Sequence, residues 1–119
     1  YNPDYVLVLD STLLEVIDVT EGLKKDGIIV VNAAKDPKEL GIKGYRVATV
    51  DATGIALELE LLVAGLPVLN TSMLGAFAKA TEEVKLESVI KVIEERWPGP
   101  VGKKNAEGAA LAYKRLKNW

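Results

Sequence analysis

The side chains in this sequence that are best suited to chemistry carry oxygen, and they follow directly on apolar runs. They are Asp10-Ser11-Thr12, Asn32, Asp51-Ala52-Thr53 and Asn70-Thr71-Ser72. Asp10 and Asp51 could act as a pair of carboxylates in proton transfer. Two acids that follow strands are at least as often helix caps, and no imidazole or thiol is present to complete a proton relay. We therefore assign no catalytic residue.

The absence of histidine and cysteine excludes several classes of site. The 119 residues contain neither type. Disulfide scaffolds, iron–sulfur ligation, thiol catalysis, the usual zinc sites and Ser-His-Asp nucleophiles all require one of them. The sequence also lacks the glycine-rich loops that bind dinucleotides or nucleoside triphosphates. We expect no metal site and no cofactor held by this chain alone.

Three apolar runs rich in strand formers must position the polar groups. They cover residues 5–9, 28–31 and 47–50. Continuous apolar runs are typical of parallel strands covered on both faces. We predict an α/β fold with a small parallel sheet of at least three strands, the first of them central, with crossover helices and a helical C-terminal part. The length predicts a single domain over residues 1–119.

Helical signals lie between and after these runs. Pro37 and Gly41 bracket a single predicted turn. Residues 55–64 alternate like a strand yet also fit helical spacing, and their Ala, Leu and Glu content favours a helix. Thr71 and Ser72 are predicted to cap the next helix. Further helices are predicted over residues 20–25, 86–97 and 103–117. The second of these has a clear apolar face, and a turn at residues 98–100 separates it from the third.

In a parallel sheet the polar groups that follow the strands gather at the carboxyl edge, where ligands bind in open α/β folds. Helix N-termini at this edge offer free N–H donors. The candidates for ligand or subunit contact are therefore Asp51, Thr53, Asn70 and Thr71. Helix capping is the alternative interpretation for each of them, and it is the one we favour.

The charge distribution argues against a nucleic-acid partner. Fifteen basic and seventeen acidic residues give a net charge of −2, which provides no field for binding a phosphate backbone. The five basic residues of the last helix could meet an acidic partner, although a solvated helix end is the interpretation we favour; they are Lys103, Lys104, Lys114, Arg115 and Lys117. Trp119 is a candidate for an interface.

No apolar run is long enough to cross a bilayer, and no signal peptide is visible. The longest apolar run, residues 61–69, contains Gly65 and Pro67. We therefore expect no membrane partner and a cytoplasmic location.

Several motifs resemble one family over nearly the whole chain. The most specific is Asn70-Thr71-Ser72-Met73-Leu74-Gly75-Ala76, which is similar to a stretch in the gamma subunit of the 2-oxoacid:ferredoxin oxidoreductases, the pyruvate:ferredoxin oxidoreductase family. The same resemblance extends, in the family's order, to segments 3–10, 18–24, 27–32, 50–53 and 102–105.

The resemblance implies a role in oxidative decarboxylation of a 2-oxoacid, with pyruvate foremost, to an acyl-coenzyme A with reduction of ferredoxin. It implies that thiamine diphosphate, magnesium and iron–sulfur clusters belong to companion subunits of alpha, beta and delta type. This chain would be an assembly component near the coenzyme A path, and inactive alone. The alternatives are a free-standing nucleotide- or anion-binding α/β module and a plain interaction domain.

The sequence departs from the family in two respects. The glycine-rich opening of the gamma subunit is missing, so the chain resembles the C-terminal two-thirds of such a subunit. Glu82 stands where the family often has glycine after Ala80-Thr81. Glutamate adopts a left-handed helix cap only at a cost, so we expect this helix to end differently.

Overall fold

The computed structural model describes residues 5–10 and 27–119. Among them, three parallel strands form one sheet in the order β1 (Tyr5–Val8), β2 (Ile28–Asn32), β3 (Arg46–Val50). Tyr5 is paired with Ile28, which is paired in turn with Arg46. This confirms the predicted α/β class with a parallel sheet of three strands.

The order of the strands corrects one expectation. β2 is central and wholly buried, whereas β1 lies at the edge of the described sheet and exposes Leu7. An apolar run alone does not distinguish a central strand from an edge strand, because both cover at least one face of the sheet. The prediction that the first strand is central was therefore wrong.

Helices and a short hairpin follow the sheet. Beyond a 3₁₀ turn at Pro37–Leu40, the described chain contains the following elements: α1 (Ala52–Glu58), the antiparallel hairpin of β4 (Leu62–Val63) and β5 (Leu66–Pro67), α2 (Asn70–Thr81), α3 (Leu86–Arg96) and α4 (Pro100–Arg115). The predicted turn at Pro37 and the amphipathic helix α3 are confirmed. The helix predicted at residues 20–25 lies outside the described residues.

The helix predicted over residues 55–64 begins earlier and ends sooner. Asp51 caps α1, and the chain leaves the helix at Glu60, where φ is 57°. The Leu61 N–H then bonds the Ala56 carbonyl oxygen at 2.7 Å, which buries the Leu61 side chain and directs the chain into the hairpin. The extended chain thus begins only at Leu62, after the alternating residues 57–61.

The last helix is also displaced from its prediction. Pro100 is its first residue, so the turn predicted at residues 98–100 is partly helical, since proline suits the first position of a helix. At the other end the helix stops at Arg115. Lys117 then forms an antiparallel bridge with Thr49, with N–O distances of 2.9 and 2.8 Å, and so partly covers the outer edge of β3.

Two layers of apolar side chains cover the sheet. On one face, β2 and β3 pack against α1, α2 and α4; this cluster includes Ile28, Val30, Val50, Ile55, Met73, Ala76 and Ala112. On the other face, Ile29, Val31, Val47 and Val8 form a second cluster. A third cluster between α2, α3 and α4 contains Ala78, Ile93 and Ala109. The helical part is thereby attached to the sheet through α2 and α4.

The end of α2 corrects the expectation for Glu82. This residue does adopt the left-handed conformation, with φ 57°, and its N–H bonds the Ala78 carbonyl oxygen at 3.0 Å. The cost of a left-handed non-glycine residue is roughly 1–2 kcal/mol. Contacts on either side anchor the turn: the Tyr5 hydroxyl donates to the Glu83 carboxylate, and the Tyr5 ring packs edge-on against Phe77.

Helices α2 and α4 pack so closely that one position between them admits no side chain. A Cβ on Gly75 would overlap the Ala109 carbonyl oxygen and lie 2.6 Å from the carbonyl carbon. Both atoms belong to the backbone of α4 and cannot rotate away. Glycine in the Met73-Leu74-Gly75-Ala76 motif therefore sets the distance between the two helices.

We predict that Gly75→Ala destabilises the protein by about 3 kcal/mol or more, because it forces two packed backbones apart. Alanine in place of glycine ordinarily favours a helix by about 1 kcal/mol, so the sign of the effect is diagnostic. Urea unfolding monitored by circular dichroism measures it. Leu74→Ala, at the exposed neighbouring position, is the control and is expected to cost less than 1 kcal/mol. Unchanged stability of Gly75→Ala would contradict this packing.

Candidate functional site

The carboxyl edge of the sheet is organised around the side chain of Asn32, at the end of β2. Its Nδ2 donates to the Leu9 carbonyl oxygen at 3.0 Å and to Thr53 Oγ1 at 2.9 Å. Its Oδ1 accepts from the N–H groups of Ala52, at 2.9 Å, and Thr53, at 3.3 Å. One buried amide thus connects the end of β1 with the first turn of α1.

Asp51 occupies the N-cap of α1, in agreement with the favoured capping interpretation. Its Oδ1 accepts from the Gly54 N–H at 2.9 Å. Side-chain acceptors at this position satisfy N–H groups that the helix itself leaves without partners. The carboxylate lies at the surface and lines the largest groove that we describe at this edge.

Thr53 lies in the first turn of α1 and lines a different groove of about 340 Å³. Its hydroxyl oxygen accepts the Asn32 amide proton, so its own proton is directed elsewhere. The other lining residues are Leu9, Asp10, Asn32, Pro67 and Leu69. Asp10 and Asp51 line separate grooves, so the structure gives the hypothetical carboxylate pair no common cavity. Ser11 and Thr12 lie outside the described residues.

The first turn of α2 differs from its prediction. The helix begins at Asn70 after Leu69, with no side-chain cap, so Thr71 and Ser72 lie inside the helix. Thr71 is buried, and its hydroxyl donates to Asn105 Oδ1 on α4 at 2.8 Å. The capping interpretation of Thr71 and Ser72 was therefore wrong, because close packing against α4 directs both side chains inward. Asn70 remains at the surface.

The Asn105 side chain completes this contact between helices. Its Nδ2 donates to the Val101 carbonyl oxygen within α4 at 2.9 Å, so its Oδ1 is presented to Thr71. Ser72 Oγ is buried with no hydrogen-bond partner within the described chain. A Cβ on Gly108 would lie 2.8 Å from this oxygen and 3.0 Å from Leu61 Cδ1, so a larger residue would force these side chains to shift. Asn105 was not among the predicted site residues, although it lies in segment 102–105, which resembles the family.

The largest groove described at the sheet edge measures about 540 Å³ and carries charges of both signs. The acidic residues that line it are Asp51, the N-cap of α1, and Glu58, the last residue of α1. The basic residues that line it are Arg115, the last residue of α4, and Lys117, which follows the helix. Arg115 Nη1 lies 2.7 Å from Glu58 Oε2. The hydrogen bond from Arg115, and then its positive charge, hold the pKa of the Glu58 carboxyl below its ordinary value.

Two of the basic residues near the end of the chain, Arg115 and Lys117, have polar partners within the protein, unlike the side chains of a fully solvated helix end. The Arg115 guanidinium is paired with Glu58, and the same pairing raises its pKa above the ordinary value. Lys117 Nζ donates to the Ala34 carbonyl oxygen at 3.1 Å and lies 3.7 Å from Asp36 Oδ1. Lys103, Lys104 and Lys114 lie at the surface. Trp119 is half-exposed, with its ring 5.5 Å from the Arg46 guanidinium carbon.

At the sheet edge the described residues line two open grooves, but they form no catalytic constellation. Residues 5–10 and 27–119 contain no cluster of three carboxylates that could hold a metal ion. No helix within that part of the chain is long and apolar enough to span a membrane. The hydroxyl and carboxylate groups described at the edge can bind or orient a neighbour, and none of the hydrogen bonds given above joins a nucleophile to a base.

We predict that Asn32→Ala costs about 2–4 kcal/mol, because it leaves the buried N–H of Ala52, the half-buried N–H of Thr53 and the Leu9 carbonyl without their partner. Denaturant unfolding measures the loss. Asn118→Ala, at an exposed position, is the matched control and is expected to leave stability unchanged. If both variants unfolded at the wild-type urea concentration, the Asn32 network would not hold this edge together.

The Glu58–Arg115 pair predicts a pH dependence with a definite sign. A carboxyl whose pKa is lowered on folding stabilises the protein above its unfolded pKa, and this stabilisation is lost as the pH falls through the folded value. Carbon-detected NMR should give Glu58 a pKa below the ordinary value of a glutamate carboxyl. Arg115→Met should return it to the ordinary range, whereas Lys114→Met should not. A Glu58 pKa that ignored the loss of Arg115 would refute this assignment.

Comparison with known proteins identifies the family to which this chain is similar. Residues 1–115 match the profile of pyruvate ferredoxin/flavodoxin oxidoreductase. The chain is 52% identical over 116 residues to pyruvate synthase subunit PorC of Methanocaldococcus jannaschii, covering 98% of this chain and 61% of that protein. It is 50% identical to the common gamma subunit of the pyruvate/ketoisovalerate oxidoreductases of Thermococcus kodakarensis, covering 97% and 62%.

A solved structure shows the same fold. The pyruvate oxidoreductase subunit PORC of Thermotoga maritima superimposes with a TM-score of 0.82 at 37% identity, covering 98% of this chain and 65% of that one. The chain thus spans about three-fifths of the length of the curated relatives that it matches. Profile, sequence identity and fold agree: the chain belongs to the pyruvate ferredoxin/flavodoxin oxidoreductase family.

Proposed function

We propose that this chain forms part of the gamma subunit of a 2-oxoacid:ferredoxin oxidoreductase. In this role it is a structural and assembly component in the oxidative decarboxylation of a 2-oxoacid, pyruvate foremost, to an acyl-coenzyme A, with reduction of ferredoxin. The observation that carries the proposal is about 50% identity, over nearly the whole chain, to proteins named as the PorC or gamma subunit of such enzymes.

The donor chemistry of the chain supports a division of labour between subunits. Iron–sulfur clusters are held by thiolates, and these 119 residues contain none. The carboxylates of the described residues form no metal-binding cluster, and the sequence has no glycine-rich phosphate loop. In keeping with what the resemblance to the family implies, we assign thiamine diphosphate, magnesium and the clusters to companion subunits of alpha, beta and delta type, through which ferredoxin is reached in the cytoplasm.

The four site candidates acquire different roles under this proposal. Thr53 lines the groove beside Asn32 and is the position at which this chain would contact a neighbouring subunit. Asp51 and Asn70 lie at the surface, where they are available for subunit contact. Thr71 is buried against Asn105, so its role is to fix α2 against α4.

The alternative of a free-standing nucleotide- or anion-binding module gains no support. Both grooves at the carboxyl edge present a carboxylate, Asp10 in one and Asp51 in the other. A carboxylate at the mouth of a groove repels phosphate groups. The 540 Å³ groove does hold Arg115 and Lys117, but the Arg115 guanidinium is already paired with Glu58, and Lys117 Nζ lies 3.7 Å from Asp36 Oδ1.

Reconstitution by omission tests the proposed function. The companion subunits are purified with and without the polypeptide that carries this chain, and pyruvate-dependent reduction of ferredoxin is measured in the presence of coenzyme A. We expect activity only when the polypeptide is present, and none from the polypeptide alone. Full activity of the companion subunits without it, or pyruvate oxidation by the isolated polypeptide, would refute the proposal.

A further inference from the structure

Residues 116–119 leave α4 and run along the outer edge of β3; we call them the strap. Lys117 exchanges two backbone hydrogen bonds with Thr49, at 2.9 and 2.8 Å, in an antiparallel bridge. An antiparallel register carries the strap toward the start of β3, and the Trp119 ring indeed lies 5.5 Å from the Arg46 guanidinium carbon. The strap therefore occupies the position that the next strand of the sheet would take.

Side chains anchor the strap in addition to this bridge. Leu116 packs against the apolar cluster between the sheet and helices α1, α2 and α4. Lys117 Nζ donates to the Ala34 carbonyl oxygen at 3.1 Å and lies 3.7 Å from Asp36 Oδ1. Apolar, polar and aromatic contacts thus hold four consecutive residues against the sheet, which is more than the end of a helix requires.

The edge that the strap covers is suited to pairing with another strand. The Arg46 N–H donates to the Gly27 carbonyl oxygen on the side of β2, so alternation directs the backbone groups of Val47 and Thr49 to the outer side. An edge strand with unpaired backbone groups is a template for another chain, and natural edges are protected by charged residues or proline. Residues 47–50 contain neither.

We propose that the strap is a protective device built into the fold: by occupying the outer edge of β3, it prevents a second copy of this chain from pairing with that strand. The strap runs antiparallel to β3, which is the direction that β3 of a second copy takes in a two-fold symmetric pair. One segment, residues 46–50, supplies both sides of such a pair. This inference goes beyond the proposed function and does not depend on it.

Connectivity gives the strap the advantage over a second copy. Because the strap follows α4 without a linker, its effective concentration at β3 is on the order of millimolar or above. A second copy at micromolar concentration competes poorly with it. Loosening the strap removes this advantage, so self-association through β3 should appear only when the contacts of the strap are weakened.

A matched pair of proline variants tests the strap in the polypeptide that carries this chain. Lys117→Pro removes the N–H that donates to the Thr49 carbonyl oxygen. Leu116, with φ −58° and ψ 131°, already has the conformation that a residue before proline prefers. In Asn118→Pro, the control at an exposed position, the lost N–H is on the side away from β3.

Two measurements follow each variant, after circular dichroism has established that it is folded. Hydrogen exchange of the Thr49 amide reports opening of the strap, and sedimentation velocity over a range of protein concentrations reports self-association. We expect Lys117→Pro to exchange Thr49 at least tenfold faster at low concentration and to self-associate at least tenfold more tightly than the wild type. As its concentration rises, the Thr49 amide should become protected again. Asn118→Pro should behave as the wild type in both measurements.

Trp119→Ala provides a second test that does not depend on Lys117→Pro folding, because it removes only the half-exposed ring beside Arg46. It should shift both measurements in the same direction by a smaller factor. Wild-type protection of Thr49 in Lys117→Pro would overturn the role of the strap. Fast exchange in a variant that stays as monomeric as the wild type would overturn it as well. So would self-association that leaves the Thr49 amide unprotected. Each of these results leaves the proposed function untouched.

Discussion

The arrangement of this protein depends on one buried side-chain amide. Asn32 ends the central strand, and both its donor and its acceptor are used to connect β1 with the first turn of α1. A buried polar group costs free energy unless its hydrogen bonds are satisfied. The same amide that makes hydrogen bonds with the backbone at this edge also donates to Thr53. It therefore also fixes the geometry of the groove of about 340 Å³ that Asn32 and Thr53 line. No other amino acid supplies both halves of this connection at that length.

A second constraint arises where the helices meet. Gly75 lets α2 approach the backbone of α4, and the buried hydrogen bond from Thr71 to Asn105 sets the register of the two helices. Because the chain leaves α4 at Arg115 and Lys117 then pairs with Thr49, the helical part and the outer strand of the sheet are held in one arrangement. The hairpin projects from this assembly. Rigid elements of this kind suit a subunit that shapes a complex.

The sequence predicts the strands and the amphipathic helix well, because continuous apolar runs and the spacing of Val89 and Ile93 are local signals. It also predicts the Asp51 cap. It fails where a distant contact overrides local preference: α4 directs Thr71 inward, and Leu61 closes α1 early.

Left-handed Glu82 was likewise missed, because its anchor, the contact of Glu83 with Tyr5, comes from 78 residues away. Asn32 was recognised as a polar residue after a strand, but its network requires the register of three elements. The meeting of Asn32 and Thr53 at the sheet edge followed from topology, whereas the burial of Thr71 against α4 and the separation of Asp10 and Asp51 into two grooves could not be inferred from their spacing.

The central claim is that this chain has a structural role in an enzyme complex whose cofactors are bound by other subunits. The most direct measurement is purification of the tagged polypeptide from its native cells, followed by identification of its companions and of the subunits that carry iron, sulfide and thiamine diphosphate. The account predicts companion subunits in fixed ratio, with all cofactors bound to them. A lone homogeneous polypeptide, or one that itself carries a cluster, would contradict it.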